Sequence, residues 1–393
     1  MALSIDAVQQ ALKEDGIDGW LLYDFHGSNP IANRVAGLAS SAKLATRRWY
    51  YLIPADGAPR GLVHAIERHN LDDLPGEKRA YAGREQLAAG LKDLLGGIKR
   101  VAMEYSPRNA IPYVSRVDAG TVEAVRDSGA EVVSSGDLVQ RFEAVWTDEA
   151  YKTHVAASDR LYRIKDRAFE LVRERLAGGA PMTEFEVQQA MVGWFKTEGL
   201  TTDSAPIVAA QENAGNPHYG PTREAHRVIR SGEIVLLDLW GKLPQAGAVF
   251  ADITWVGFTG AVVPDEFANA FAAAAAGRDA AVDLVRSAVS EGRELRGFEV
   301  DRICRDVIKQ AGYGEQFIHR TGHSLGEEVH GNGVHMDDYE THDDRRLIPG
   351  TGFTIEPGVY TDRFGVRTEI NMFVAEREAR VTGARQQAIV PLA

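Results

Sequence analysis

The chain has 393 residues, 44% of them hydrophobic and 25% charged, with a formal net charge of −12. That length exceeds the usual reach of one hydrophobic core and favours two domains, and the composition excludes a disordered or fibrous chain. The acidic balance argues against broad contact with nucleic acid or an anionic membrane, so small or neutral partners are expected. Cys304 is the sole cysteine, which excludes an intrachain disulfide and a thiolate metal cluster and fits a reducing compartment. The opening sequence MALSIDAVQQALKEDGID has early acidic residues and helical spacing, without the basic start and apolar run of a signal peptide, so a cytoplasmic location is expected. The alanine-rich stretch 268–276 stops at Arg278 and Asp279 and is too short to span a membrane.

In chain order, apolar residues from Ser4 to about Lys13 repeat at helical spacing, and GWLLY reads as a buried strand running into a Gly/Ser/Asn/Pro loop. Further strands are expected at Trp49 to Ile53, Arg100 to Met103 and Glu131 to Val133, with a helix from Arg84 to Leu95 among them. This is the pattern of a small α/β domain. No Pro/Gly-rich linker marks its end, and the boundary is placed near 145, giving domains 1–145 and 146–393. The second domain opens with helical sequence from Tyr151 to Leu176, followed by a capping-box pair, Thr183 and Glu186, ahead of another helix. Beyond it lie the apolar strands IVLLDLW, FADITWVGF, GFTIEPGVY and GVRTEINMFV, with one helical segment from Glu266 to about Ala311. An α+β domain around antiparallel strands is expected.

Asp238 in IVLLDLW and Asp252 in FADITW place carboxylates inside apolar strands, where strand propensity and lost hydration both disfavour them. For either alone an exposed or hydrogen-bonded carboxylate is the ordinary reading. As a pair on adjacent strands of a hairpin they converge on one point, where a bound cation would relieve their repulsion. Glu356 in TIEPG and Glu369 in GVRTEINMF repeat the arrangement, and the sequence alone reads all four as strand residues. His323 in HRTGHSLGEEVH supplies an imidazole. Oxygen-rich ligation with one imidazole suits Mn²⁺, with Co²⁺ and Zn²⁺ as substitutes.

These residues resemble the metallopeptidases related to methionine aminopeptidase, aminopeptidase P and prolidase. The resemblance rests on NPHY around His218, Asp238 and Asp252 in consecutive strands, HxxxGH ending at His323, EVH ending at His330, IEPG at Glu356 and GVRTE at Glu369. It implies a pita-bread catalytic domain, and the extra N-terminal α/β domain points to the prolidase and aminopeptidase P branch. It further implies two divalent ions bridged by Asp252 and Glu369, with Asp238 completing one site and His323 and Glu356 the other. A hydroxide shared by the ions would be the nucleophile and Glu356 a proton shuttle. His218 and His330 would bind substrate and steady the developing oxyanion. A homodimer is implied as well.

Within that branch the expected substrate is a peptide with proline second, whose tertiary amide and fixed φ demand a dedicated pocket. Prolidases carry an arginine before E-P-G that grips the free carboxylate of a dipeptide. Here His342 stands near that position, with Arg345 and Arg346 behind it, so Arg367, Arg47 and Arg48 are further candidates for the grip. The compact length favours Xaa-Pro dipeptides over the longer peptides of aminopeptidase P, and a metal-free creatinase-like hydrolase or a binding protein is the remaining alternative. His319, His335, Asp337 and His226 are expected to serve structure, and Tyr219 either lines the substrate pocket or packs. Nucleotide-binding glycine patterns lack their strand-to-helix setting.

Overall fold

Ser4 begins the first helix by accepting a hydrogen bond from the Ala7 amide, and α1 (Ile5–Glu14) buries Val8, Ala11 and Leu12 along one face. The computed structural model describes residues 3–38 and 45–393. The chain divides into two compact units, Met1–Glu143 and Ala144–Ala393.

In the first unit, β1 (Gly19–Asp24), β2 (Trp49–Pro54), β3 (Arg60–His64), β4 (Glu77–Tyr81), β5 (Arg100–Met103) and β6 (Glu131–Ser134) form a mixed sheet in the order β4-β3-β2-β1-β5-β6. Alternation along β1 sends Trp20 and Leu22 to one face and Leu21 and Tyr23 to the other. The first face is covered by α1, α2 (Pro30–Val35) and α5 (Gly136–Val139), the second by α3 (Arg84–Leu94) and α4 (Ala119–Asp127). The strands expected at Trp49, Arg100 and Glu131 form. β4 escapes a reading of hydrophobic pattern because EKRAY is a largely exposed edge strand with one buried residue.

In the second unit, α6 (Asp148–Ala177) and α7 (Glu184–Thr197) pack on one face of a sheet ordered β16-β9-β8-β7, made of β7 (Ile207–Ala210), β8 (Ile234–Gly241), β9 (Ala251–Phe258) and β16 (Val390–Pro391). The expected capping box opens α7: Glu186 N donates to Thr183 Oγ1 at 3.2 Å, and Thr183 N to Glu186 Oε2 at 2.8 Å. Val235, Leu237, Leu239 and Ile253 face these helices. Ile234, Leu236 and Val256 face the other way, toward α8 (Asp265–Glu291) and α9 (Gly297–Gln310). These two helices replace the single segment expected over 266–311. Gly292 closes α8 at φ 67°, which a residue with a Cβ rarely adopts, and Glu299 reaches back to the Arg296 amide to start α9.

The remaining strands are β10 (Ser324–Leu325), β11 (Gly352–Ile355), β12 (Gly358–Tyr360), β13 (Gly365–Arg367), β14 (Ile370–Val374) and β15 (Ala379–Thr382). They form a sheet ordered β10-β11-β14-β15 and a separate β12-β13 pair. Here the structure corrects the sequence reading: GFTIEPGVY and GVRTEINMFV are each two strands, and Glu356 and Glu369 lie in the breaks. The ladder stops at Ile355 opposite Ile370 and resumes at Gly358 opposite Arg367. Pro357 has no N–H to give. The amides beside it turn to other partners, Glu356 N to Thr321 O at 2.8 Å and Glu369 N to Thr254 O at 3.3 Å. Among the described residues, no helix is long and apolar enough to cross a membrane.

Candidate metal centre

The inner face of the β8–β9 hairpin carries the first carboxylates. Asp238 lies opposite Thr254, and Asp252 opposite Trp240, so the two aspartates are diagonal neighbours on one face. Asn371 of β14 pins β9 at that point, its Oδ1 accepting from Asp252 N at 3.0 Å while its amide group donates to Asp252 O. The broken second hairpin adds Glu369, whose Oε2 accepts from Thr254 Oγ1 at 2.7 Å.

His323 enters on the loop before β10. Its backbone N donates to Thr354 Oγ1 at 2.9 Å, and the same hydroxyl lies 3.2 Å from Glu356 Oε1. Gly322 allows that approach, since a Cβ there would fall 1.9 Å from Thr354 O. With Nδ1 directed at the Ser324 carbonyl at 3.2 Å, the ring is assigned the tautomer whose Nε2 lone pair is open. That nitrogen faces Asp252 Oδ2 at 3.6 Å and Glu356 Oε1 at 3.5 Å. Burial lowers the His323 pKa to about 3, so the imidazole is neutral at physiological pH.

Asp252, His323 and Glu369 each offer one ligand atom, all within 4.8 Å of one another, and all three residues are buried. Burial pushes the Asp252 and Glu369 carboxyls well above the ordinary range, with neighbouring carboxylates adding repulsion: Glu369 acts on Asp252, and Glu356 on Glu369. Asp252 Oδ1 and Glu369 Oε1 are buried with no hydrogen-bond donor among the described residues. Glu104 in the first unit makes the contrast. Equally buried, it has its oxygens met by Trp20 Nε1 at 2.7 Å, Asn29 Nδ2 at 2.7 Å and Ser135 Oγ at 3.0 Å. Carboxylate oxygens left unmet beside an open imidazole nitrogen fit a hard or borderline divalent cation.

The guanidinium of Arg367 stands among these carboxylates. It pairs with Asp238 through Nη2, donates from Nε to Thr254 Oγ1 at 2.8 Å and reaches Tyr360 Oη at 3.4 Å. Burial raises the Asp238 pKa and Arg367 opposes the rise; burial alone would lower that of Arg367, and Asp238 together with Tyr360, Glu356 and Glu369 more than offsets it. Arg367 is therefore committed to a carboxylate of the protein.

The other expected residues are placed as follows. His330 is partly exposed, its ring edge-on to His323 with centroids 4.3 Å apart; burial and then Arg320 lower its pKa. His218 is exposed beyond the turn 211–215 and is among the charges acting on His330. His342 pairs with Asp338 at 2.5 Å and packs on Phe298, contacts outside the carboxylate cluster. Arg345 is buried, binding Asp343 with two nitrogens and the Asn332 carbonyl at 2.8 Å. Arg47 and Arg48 are exposed residues of the first unit, Arg47 bonding to Thr46 and, through its amide, to Glu67. His319 accepts from Tyr360 Oη at 2.8 Å and is neutral, burial lowering its pKa to about 3.

Sequence reasoning missed Thr254, Asn371, Tyr360 and Trp240. Thr254 was legible in part, being two residues from Asp252 on the same face. Trp240 stands two residues beyond Asp238, and its indole donates to the exposed Asp203 at 2.7 Å, so it borders the cluster on the side toward solvent.

The model of metallopeptidase family M24 matches residues 156–376. The chain belongs to this family. The M24 chain is similar to the Xaa-Pro dipeptidase of Lactobacillus delbrueckii subsp. lactis, 32% identical over 207 residues, 52% of this chain and 51% of that one. It thus spans about half the length of that relative. Among solved structures it resembles dipeptidase PepE of Mycobacterium ulcerans, with TM-score 0.67 and 23% identity over 99% of this chain and 96% of that one. A dipeptidase of Pyrococcus horikoshii OT3 gives TM-score 0.60 and 25% identity over 98% and 99%. The second unit accordingly has the expected pita-bread fold of M24 peptidases, preceded by the α/β unit.

Proposed function

We propose that this M24 protein is an Xaa-Pro dipeptidase working with two divalent cations, with Mn²⁺ the first choice and Co²⁺ or Zn²⁺ as substitutes. The observation that carries the reading is the pair of unmet, buried oxygens on Asp252 and Glu369 facing the neutral His323. Asp252 and Glu369 would be shared by both ions, Asp238 would serve one, and His323 and Glu356 the other. When bound, the ions supply Lewis acidity and a nucleophile at neutral pH. The chain's own work is to hold the carboxylates against their repulsion, to keep His323 in the open tautomer, and to carry a proton on Glu356 between the attacking group and the departing proline nitrogen. His218 and His330, on the exposed side, donate hydrogen bonds to the substrate carbonyl as charge develops there.

Preference for dipeptides is supported by the name of the Lactobacillus relative and by the two PepE-type and archaeal dipeptidases of similar fold. The second reading, an Xaa-Pro aminopeptidase, is favoured by one observation: Arg345 and Arg367 are both committed to internal aspartates, leaving the substrate carboxylate without an evident grip among them. A metal-free creatinase-like hydrolase accords poorly with unmet carboxylate oxygens. Leu-Pro compared with Leu-Pro-Ala, each with Mn²⁺ loading checked by elemental analysis, separates the readings. Cleavage of neither peptide by loaded protein would remove both. Arg47→Ala and Arg48→Ala test the N-terminal arginines, a raised KM at steady kcat assigning them the carboxylate. We further propose a homodimer, which sedimentation of the purified chain tests directly, located in the cytoplasm, which fractionation of cells tests.

A further inference from the structure

Asp301 on α9 is fully buried, yet it lies outside the carboxylate cluster, and its two oxygens meet five donors. Oδ1 accepts from Thr321 N at 2.9 Å, Thr321 Oγ1 at 2.7 Å and Arg305 Nη2 at 3.1 Å. Oδ2 accepts from Arg305 Nε at 3.1 Å and Asp338 N at 3.2 Å. One helical turn on, Arg305 grips the same loop from its other side, donating to Phe317 O at 2.9 Å and His319 O at 2.8 Å. The ion pair at i and i+4 therefore clamps the segment 317–321 by both its amide and its carbonyl groups.

The clamped residue leads straight to the centre. Thr321 O accepts from Glu356 N at 2.8 Å, and two residues later His323 N and Glu356 share the Thr354 hydroxyl. Asp238, by contrast, hangs from β8 and is held directly by Thr254 and Arg367, its path to α9 running the longer way through Tyr360 and His319 to Arg305 and not through Thr321. We infer that Asp301, acting through Thr321, is a positioning residue for one cation only, the one that His323 and Glu356 would hold. This rests on the dinuclear reading above.

The experiment titrates Mn²⁺ into the metal-free full chain by calorimetry, with circular dichroism and thermal melting as folding checks. Asp301→Asn turns an amide NH₂ toward either Arg305 and Asp338 N or Thr321 N, donor against donor. Thr321→Val removes one hydroxyl bond at nearly constant volume and serves where the first variant fails to fold; Thr321→Ser restores the hydroxyl. Expected is a loss of about 10- to 100-fold in affinity at one of two sites in the Asn and Val variants, the other site unchanged and Thr321→Ser close to wild type. Equal weakening of both sites, or of neither, overturns the inference. Wild type binding a single ion or none would instead bring down the dinuclear reading, and this inference with it.

Discussion

Replacing Arg367 by Met removes a buried guanidinium but keeps most of its aliphatic volume. In the metal-free protein this strands Asp238, whose carboxylate pairs with Arg367 and otherwise has only the Thr254 hydroxyl at 3.2 Å. Breaking a buried pair from one side costs about 3–5 kcal/mol. Because burial already pushes the Asp238 pKa up, the stranded carboxyl takes a proton, and the penalty is smaller at pH 5 than at pH 8. With cations bound, the negative charge is met by metal, and the loss shrinks to that of the bonds from Arg367 to Thr254 and Tyr360, about 1–2 kcal/mol. The difference of about 2–3 kcal/mol must reappear as tighter metal binding, on the order of 30- to 150-fold. Urea unfolding of metal-free and Mn²⁺-loaded protein, paired with calorimetric Mn²⁺ titration, closes the cycle. Weaker Mn²⁺ binding by Arg367→Met would refute the reasoning, since Arg367 would then organise the site more than it opposes the cations.

Glu369→Gln keeps an acceptor for Thr254 but removes the charge of a shared ligand, so bound Mn²⁺ should fall below one equivalent by elemental analysis and peptide cleavage should be lost; retention of two ions would contradict the bridging role. His218→Ala should keep full metal content and lower kcat about 100-fold or more, as loss of an oxyanion donor does; a parallel loss of metal would move His218 into the ligand set. His154 is buried between Phe250 O and Thr382 Oγ1, each at 2.7 Å, and burial lowers its pKa to about 4. Its folded pKa lies below the unfolded value near 6.5, so its contribution is complete above about pH 6.5 and is lost as pH falls toward 4, about 3 kcal/mol in all. Denaturant unfolding of metal-free His154→Gln should show a shallower decline over that window than wild type, and an equal decline would exclude His154 as its source.

Much of the centre was legible from residue order. Carboxylates inside apolar strands and a histidine in a glycine-bearing loop are choices that local propensity and hydration both oppose, so they stand out as chemistry. The family match then agrees with the fold that those motifs imply. The breaks at Glu356 and Glu369 were not legible, because apolar residues flank each one and the amides that leave the ladder find their partners in Thr321 and Thr254, far away in sequence. The split between α8 and α9 escaped similarly, as Gly292 is conspicuous only once its φ is known.

The clearest division concerns the cations of the site. By itself the sequence determined which groups could bind metal, since donor type and spacing are properties of the chain. Which arginine is free to meet a substrate depended on tertiary structure, because guanidinium partners are chosen by proximity in space. Arg367 was a candidate carboxylate grip, and Arg345 stood close to the expected clamp position, until folding set one against Asp238 and the other against Asp343. Likewise, only the packed structure made Asp301 and Thr321 part of the centre, by bringing a turn of α9 against the loop that carries His323.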